Sequence, residues 1–175
     1  MKKSLSLALA ALLAAAISIV AARAADENMP TEGQTAPAFT LPSQDGSPIS
    51  LDQYRGKWVV LYFYPRDMTP GCTIEAHNFQ NALGQFEAKN AVILGVSVDS
   101  TDSHKQFCAK DGLTFHLLSD TGHYVVSEYG SLGEFNGTAI ANRNTFLIDP
   151  MGNIAKVWVK VNPQTAASDV LAAIP

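Results

Sequence analysis

The sequence predicts one α/β domain, a sandwich in which a central mixed β-sheet is flanked by helices and preceded by a small β-hairpin. Three observations carry that expectation. Trp58-Val59-Val60-Leu61-Tyr62-Phe63-Tyr64 is a continuous apolar and aromatic run, as a strand covered on both faces requires. Behind Pro70, the residues Cys72, Ala76, Phe79, Leu83 and Phe86 recur at spacings of four and three, one buried stripe of a helix reaching about Ala88. Strand-like and helix-like segments then alternate down the chain, the pattern of a layered α/β fold.

Taken in order, Ala38-Phe39-Thr40-Leu41 and Pro48-Ile49-Ser50-Leu51 flank Gln44-Asp45-Gly46-Ser47, a hairpin with its turn. Pro65 ends the central strand. Ala91 to Val98 reads as a second buried strand, followed by a short helix from about Thr101 to Lys110 with Gly112 as its terminator. Phe115 to Leu118 reads as a third strand and His123 to Tyr129 as a short helix. Thr145-Phe146-Leu147-Ile148 and Ile154 to Val161 pair around Asp149-Pro150-Met151-Gly152-Asn153, another hairpin signal. Thr165 to Ala173 closes the chain as a helix.

The amino terminus reads as an address. Lys2 and Lys3 precede an uncharged Ala- and Leu-rich run from Ser4 to Ala22, and Ala22-Arg23-Ala24 supplies small residues for cleavage. That order is a secretory signal. Residues 1–24 are therefore expected to be a signal peptide and residues 25–175 one domain. The same run is long enough to serve instead as an uncleaved membrane anchor. Export places the mature protein in the periplasm of a host with two membranes. The full chain has 12 basic and 16 acidic side chains, and the leader takes Lys2, Lys3 and Arg23 with it. That leaves 9 basic against 16 acidic groups, a net charge of −7, which argues against nucleic acid or an anionic membrane as partner.

Two cysteines in an exported chain have a plain reading, one structural disulfide. The surroundings of Cys72 suggest chemistry instead. Cys72 lies two residues after Pro70, in the first turn of the helix, where free N–H groups and the positive end of the helix dipole favour a thiolate. The helical stripe turns the sulfur toward the sheet, so it is expected to be only partly exposed. Such a sulfur suits attack on a small electrophile. Thr69, three residues earlier, can both donate and accept a hydrogen bond, and Pro65 is placed to shield the pocket from water.

Pro65-Arg66-Asp67-Met68-Thr69-Pro70-Gly71-Cys72 resembles the Pro-x-x-x-Thr-x-x-Cys signature of the peroxiredoxins. The wider wording, Phe63-Tyr64-Pro65 through Cys72-Thr73 and Glu75, resembles the peroxiredoxin Q or bacterioferritin-comigratory-protein branch. The likeness continues in Val96-Ser97-Val98-Asp99, Leu117-Leu118-Ser119-Asp120 and Arg143-Asn144-Thr145-Phe146-Leu147-Ile148-Asp149-Pro150 with Gly152, spanning residues 33–161. The resemblance implies a thioredoxin-like fold and a thiol-dependent peroxidase acting on hydrogen peroxide and organic hydroperoxides, with no cofactor. It implies Cys72 as the peroxidatic nucleophile, Thr69 holding the peroxide, Pro65 covering it, and Arg143 stabilising the thiolate and polarising the O–O bond. Glu75 matches the branch's Thr-x-Glu and is implied to orient Arg143. A guanidinium keeps its charge and offers a rigid fork of donors, which suits that role. On spacing alone Arg143 reads as an ordinary surface arginine.

Many members of this branch place the resolving cysteine five residues after the peroxidatic one, where this chain has His77. Others place it in the following helix, where this chain has Cys108. An intramolecular Cys72–Cys108 disulfide is the expected resolved state. A disulfide needs Cα atoms within about 7 Å, so both segments are expected to unwind locally to form it. A buried inert thiol is the alternative for Cys108. His104 and Cys108 share a helical face and His77 follows Cys72, but no Cys-x-x-Cys or His-x-x-His spacing supports a metal site. His116 and His123 fall on expected loop or surface segments. Two other functions stay open: an exported thioredoxin-like disulfide oxidoreductase, which Thr69-Pro70-Gly71-Cys72 disfavours because its first cysteine is missing, and a non-catalytic module held by one disulfide. The expected partners are a peroxide and a thioredoxin-like or other thiol reductant, and the expected state is monomeric.

Overall fold

The computed structural model describes residues 29–175, and the signal-like leader lies outside them. The elements are β1 (Thr40–Pro42), β2 (Pro48–Ser50), a 3-10 turn (Leu51–Tyr54), β3 (Trp58–Phe63), α1 (Pro70–Ala88), β4 (Ala91–Ser97), α2 (Thr101–Asp111) and β5 (His116–Ser119). They continue with α3 (Tyr124–Glu128), β6 (Leu132–Phe135), β7 (Thr138–Ala141), β8 (Thr145–Ile148), β9 (Ile154–Trp158) and α4 (Ala166–Ala173). The main sheet runs β5-β4-β3-β8-β9. β3 pairs parallel with β4 and antiparallel with β8, so the sheet is mixed and β3 is its central strand.

The period of two along β3 divides the core. Val60, Tyr62 and Tyr64 face one cluster with Cys72, Phe79, Phe86, Phe107 and Val170, from α1, α2 and α4. Val59, Leu61 and Phe63 face the other, with Val126 and Tyr129 at α3 and Phe39 and Leu41 from the amino-terminal hairpin. That double cover is what the unbroken apolar run of β3 requires. β1 and β2 pair antiparallel in the expected hairpin. α2 ends where Gly112 adopts a left-handed conformation, φ 66°, which a residue without Cβ takes at little cost.

The hairpin β6–β7 was not expected. Its turn is Asn136-Gly137, with φ 51° and 78°, a pairing that favours tight antiparallel reversal. Its strands are half-exposed to exposed along most of their length, so they lack the apolar pattern that reveals a buried strand. β9 stops at Trp158 rather than Val161, because Lys160 turns to φ 53° and breaks the extended run. His116 lies on β5 rather than in a loop, and His123 is a half-buried left-handed residue, φ 61°, at the start of α3.

Candidate active site

Pro70 opens α1 with the φ that the first helical position wants and no N–H to lose. Thr69 precedes it in extended conformation, φ −83° and ψ 150°, but its side chain does not cap the helix. The Thr69 hydroxyl instead donates to the Arg66 carbonyl at 3.0 Å, which leaves its lone pairs to accept. The amides of Gly71 and Cys72 fall in the first turn, where helical bonding supplies no acceptor, and they point the positive end of the dipole outward.

Cys72 is only 1% exposed, more closed than the partly open sulfur expected. Its cover includes a charged group. Arg143 Nη2 donates to Cys72 Sγ at 3.3 Å while Nη1 pairs with Glu75 Oε2. Glu75 lies three residues after Cys72, hence on the same face of α1, and its side chain is fully buried. The guanidinium thus spans from carboxylate to sulfur with its two arms. Its backbone is fixed as well. Val161 N–H donates to the Arg143 carbonyl at 2.9 Å, and Phe63 N–H to the Asn144 carbonyl at 2.8 Å. The buried Asn144 amide donates to Ser131 Oγ and accepts from Lys160 N–H, at 3.0 and 3.2 Å. The end of β3 therefore holds the segment carrying Arg143 directly. Asn144 is a positioning residue that no local sequence pattern announces.

The Glu75–Arg143 pair is unequal. Burial works to lower the Arg143 pKa, but the charges of Glu75 and Cys72 outweigh it and raise it. For Glu75, burial outweighs the attraction of Arg143 and pushes the carboxyl from 4.5 up to about 7. Its second oxygen is buried without a hydrogen-bond partner, which fits that direction. The folded chain therefore holds a proton that the unfolded chain releases above pH 4.5. The stability contributed by the protonated form is complete below 4.5 and is lost as pH rises through about 7. Measured by urea unfolding, the wild type should lose on the order of 3 kcal/mol relative to Glu75→Gln between pH 4.5 and 7.5, at about 1.4 kcal/mol for each tenfold change in proton binding. A difference that does not vary with pH would show that Glu75 does not titrate in this way.

Cys108 sits on α2, 9% exposed, in the same apolar cluster as Cys72, and both are free thiols. Burial pushes the Cys108 thiol up to about 11, with the charge of Asp67 adding to it. Pro65 is half-buried on the loop that leads to Thr69. That loop also carries Asp67, 4% exposed, which accepts from Tyr64 Oη at 2.7 Å and lies 2.8 Å from Nδ1 of the fully buried His104. His77, where a resolving cysteine would stand in other members, pairs with Asp111 at 3.1 Å between α1 and α2. Among the described residues no three His, Cys, Asp or Glu side chains gather as metal ligands. The structure thus brings Cys72, Glu75 and Arg143 into contact, with Thr69 one turn before the sulfur. Cys108 lies on the next helix, a free thiol in the same apolar cluster.

The AhpC/TSA family model matches residues 32–157. A putative peroxiredoxin bcp from Coxiella burnetii is 43% identical over 143 residues, covering 79% of this chain and 95% of that protein. Among solved structures, a cysteine-to-serine mutant of PrxQ from Xylella fastidiosa superposes with a TM-score of 0.78 at 37% identity, over 82% of this chain and 94% of that one. The Xanthomonas campestris bacterioferritin comigratory protein, a structure concerned with alkyl peroxide reduction activity, superposes with a TM-score of 0.76 at 37% identity, over 82% and 97%.

Proposed function

The chain belongs to the AhpC/TSA family, among the peroxiredoxin Q and Bcp proteins, and is a thiol-dependent peroxidase with a thioredoxin-like fold; from that premise we propose that Cys72 is its peroxidatic nucleophile and Cys108 its resolving cysteine. The observation that carries the reading is the Arg143 guanidinium held between Glu75 and the Cys72 sulfur. A fixed, charged fork at a sulfur in a helix's first turn can bind an oxygen on which charge develops.

The Cys72 thiolate attacks one peroxide oxygen. The O–O bond breaks and Cys72 becomes a sulfenic acid, while the departing oxygen takes up from solvent the proton that Cys72 gave up on ionising and leaves as water or an alcohol. Arg143 donates to the oxygens as charge builds on them. Thr69 accepts from the peroxide O–H, since its own proton is engaged by the Arg66 carbonyl. Cys108 then attacks the sulfenic sulfur, the S–O bond breaks, water leaves and a Cys72–Cys108 disulfide remains. A thioredoxin-like or other thiol reductant restores both thiols. Cys72 and Cys108 are buried on different helices, so the last steps are read as needing local opening of α1 and α2. The alkyl peroxide reduction of the Xanthomonas relative supports organic hydroperoxides as substrates beside hydrogen peroxide. The basic, apolar and small-residue order of residues 1–24 supports export to the periplasm, and the mature chain is read as a monomer.

The test is to mix the reduced protein with one equivalent of hydrogen peroxide in a stopped-flow instrument and map its peptides without reductant. Fast consumption with a linked Cys72–Cys108 peptide is the expected result. Fast consumption without that peptide would remove Cys108 from the mechanism, and no fast reaction would remove Cys72.

A further inference from the structure

The following rests on the reading of Cys108 as the resolving residue, which on that reading leaves the folded α2 to reach Cys72. What keeps α2 folded in the reduced protein then decides when resolution can begin.

The helix has little of its own to hold it. Its 11 residues fall short of what an isolated helix needs to persist in water. Of them only His104, Phe107 and Cys108 are buried. Among the described residues two side chains, His104 and Asp111, join α2 to other elements by polar contacts. At the carboxyl end Asp111 pairs with His77 of α1, whose side chain is 46% exposed, and a solvated pair of that kind contributes little. At the amino end His104 Nδ1 lies 2.8 Å from Asp67 Oδ2, with both side chains fully buried. A hydrogen bond to a carboxylate away from competing water is among the stronger ones.

Asp67 is the fixed side of that contact. It accepts from Tyr64 Oη at 2.7 Å, and its N–H donates to Asp99 Oδ2 at 2.9 Å, an oxygen that also accepts from Ser97 Oγ at 2.7 Å. Tyr64 follows β3 and Ser97 ends β4, so the loop is tied to the two middle strands of the sheet. Next to Asp67, Met68 holds a left-handed backbone, φ 57°, which a residue with a side chain keeps only under constraint. The helix is therefore the side that moves. Tyr64 gives its single proton to Oδ1, so the proton between His104 and Asp67 belongs to Nδ1. His104 Nε2 is buried with no hydrogen-bond partner in the protein. One ring nitrogen thus favours the closed position and the other favours release into water. Such a contact holds without being permanent.

We propose that His104 is a positioning residue for the resolving step: its contact with Asp67 latches α2 beside the Cys72 loop, and its release frees the segment that carries Cys108. While the latch is closed, Cys108 stays in the apolar cluster it shares with Cys72. As the first turns of α2 loosen, His104 passes from Asp67 to water, and Cys108, one turn further on, is free to move. The Cys108 S–H and the Cys72 S–OH then give the disulfide and one water. The latch adds no proton and no electron to that reaction.

The test compares the reduced full-chain wild type with His104→Leu and His104→Asn. Leucine keeps an apolar side chain there but cannot bond Asp67, whereas the asparagine amide nitrogen takes the place of Nδ1 and can donate. Backbone amide exchange, read by mass spectrometry on peptides covering α2, β3 and β4, measures local opening. Quenched, non-reducing peptide mapping after one equivalent of hydrogen peroxide measures disulfide formation. In His104→Leu the α2 amides should exchange about 10- to 100-fold faster, the effect of losing one hydrogen bond to a buried charged group. β3 and β4 should keep the wild-type rate, which also certifies that the variant is folded. The Cys72–Cys108 disulfide should form faster by a similar factor, and His104→Asn should move back toward the wild type in both measurements. Unchanged α2 exchange, exchange raised equally in β3 and β4, or a disulfide no faster than in the wild type would overturn the proposal while leaving Cys108 as the resolving residue. An asparagine variant no slower than the leucine variant would do the same. A wild type that forms no Cys72–Cys108 disulfide would overturn the resolving role and the proposal with it.

Discussion

Arg143→Gln slows the formation of sulfenic acid at Cys72 by about 10²–10³-fold, the loss expected when one preorganised donor to a developing oxyanion is removed. The wild-type side chain spans two groups at once, with one arm on the buried Glu75 carboxylate and the other on the sulfur at 3.3 Å. Glutamine is shorter, uncharged and has a single amide, so it cannot hold both. Arg143→Lys should also fall well short of wild type, because a point charge does not reproduce the fork. Single-turnover stopped-flow with hydrogen peroxide measures the effect, with Arg55→Gln as the control. Arg55 is a surface residue paired with Asp52, and its variant should react like the wild type. An Arg143→Gln enzyme that keeps the full rate would make the guanidinium a bystander.

Phe79→Ala lowers the unfolding free energy by about 3–5 kcal/mol, a large share of the roughly 5–15 kcal/mol that holds a domain together. Phe79 is fully buried at the middle of the α1 stripe. Its ring stacks on Tyr62 of β3 at 4.7 Å between centroids and meets Phe86 at 6.0 Å. Truncation leaves a cavity between the helix and the central strand, and close-packed neighbours relax into it only in part. Urea unfolding should show a lower midpoint with an unchanged slope. A loss under 1 kcal/mol would mean that α1 settles onto the sheet without its central aromatic.

What the sequence disclosed and withheld follows from the range of each interaction. β3 and α1 were legible because their signals are local: seven apolar residues in a row, and an apolar stripe opened by Pro70. Gly112 marked the end of α2 for the same reason. The β6–β7 hairpin carries the local signal Asn136-Gly137, yet its half-exposed and exposed strands hid it, with Phe135 67% exposed. The site is another matter. Cys72 and Thr69 could be argued from helix geometry, but the partner of Cys72 lies 71 residues on. Arg143 looked like any surface arginine until the family resemblance singled it out. That missing guanidinium is also why the sulfur was expected to be more open than it is. The Asp67–His104 contact spans 37 residues and joins a loop to a helix, so no periodicity could reveal it.

The antiparallel pairing of β3 with β8 also sets an order in time. Val59 meets Ile148 and Tyr62 meets Thr145, so the strand that leads to the Cys72 loop waits for a partner near the far end of the chain. During synthesis β3, α1, β4 and α2 emerge first, and with them both cysteines. The nascent chain at that stage has two thiols and no guanidinium beside either. On the roles proposed for Cys72 and Arg143, the guanidinium can reach the sulfur only once β8 docks, so the fast peroxide reaction would switch on near the close of folding. A growing chain would thereby be spared rapid oxidation of that sulfur before the sheet beside it is complete.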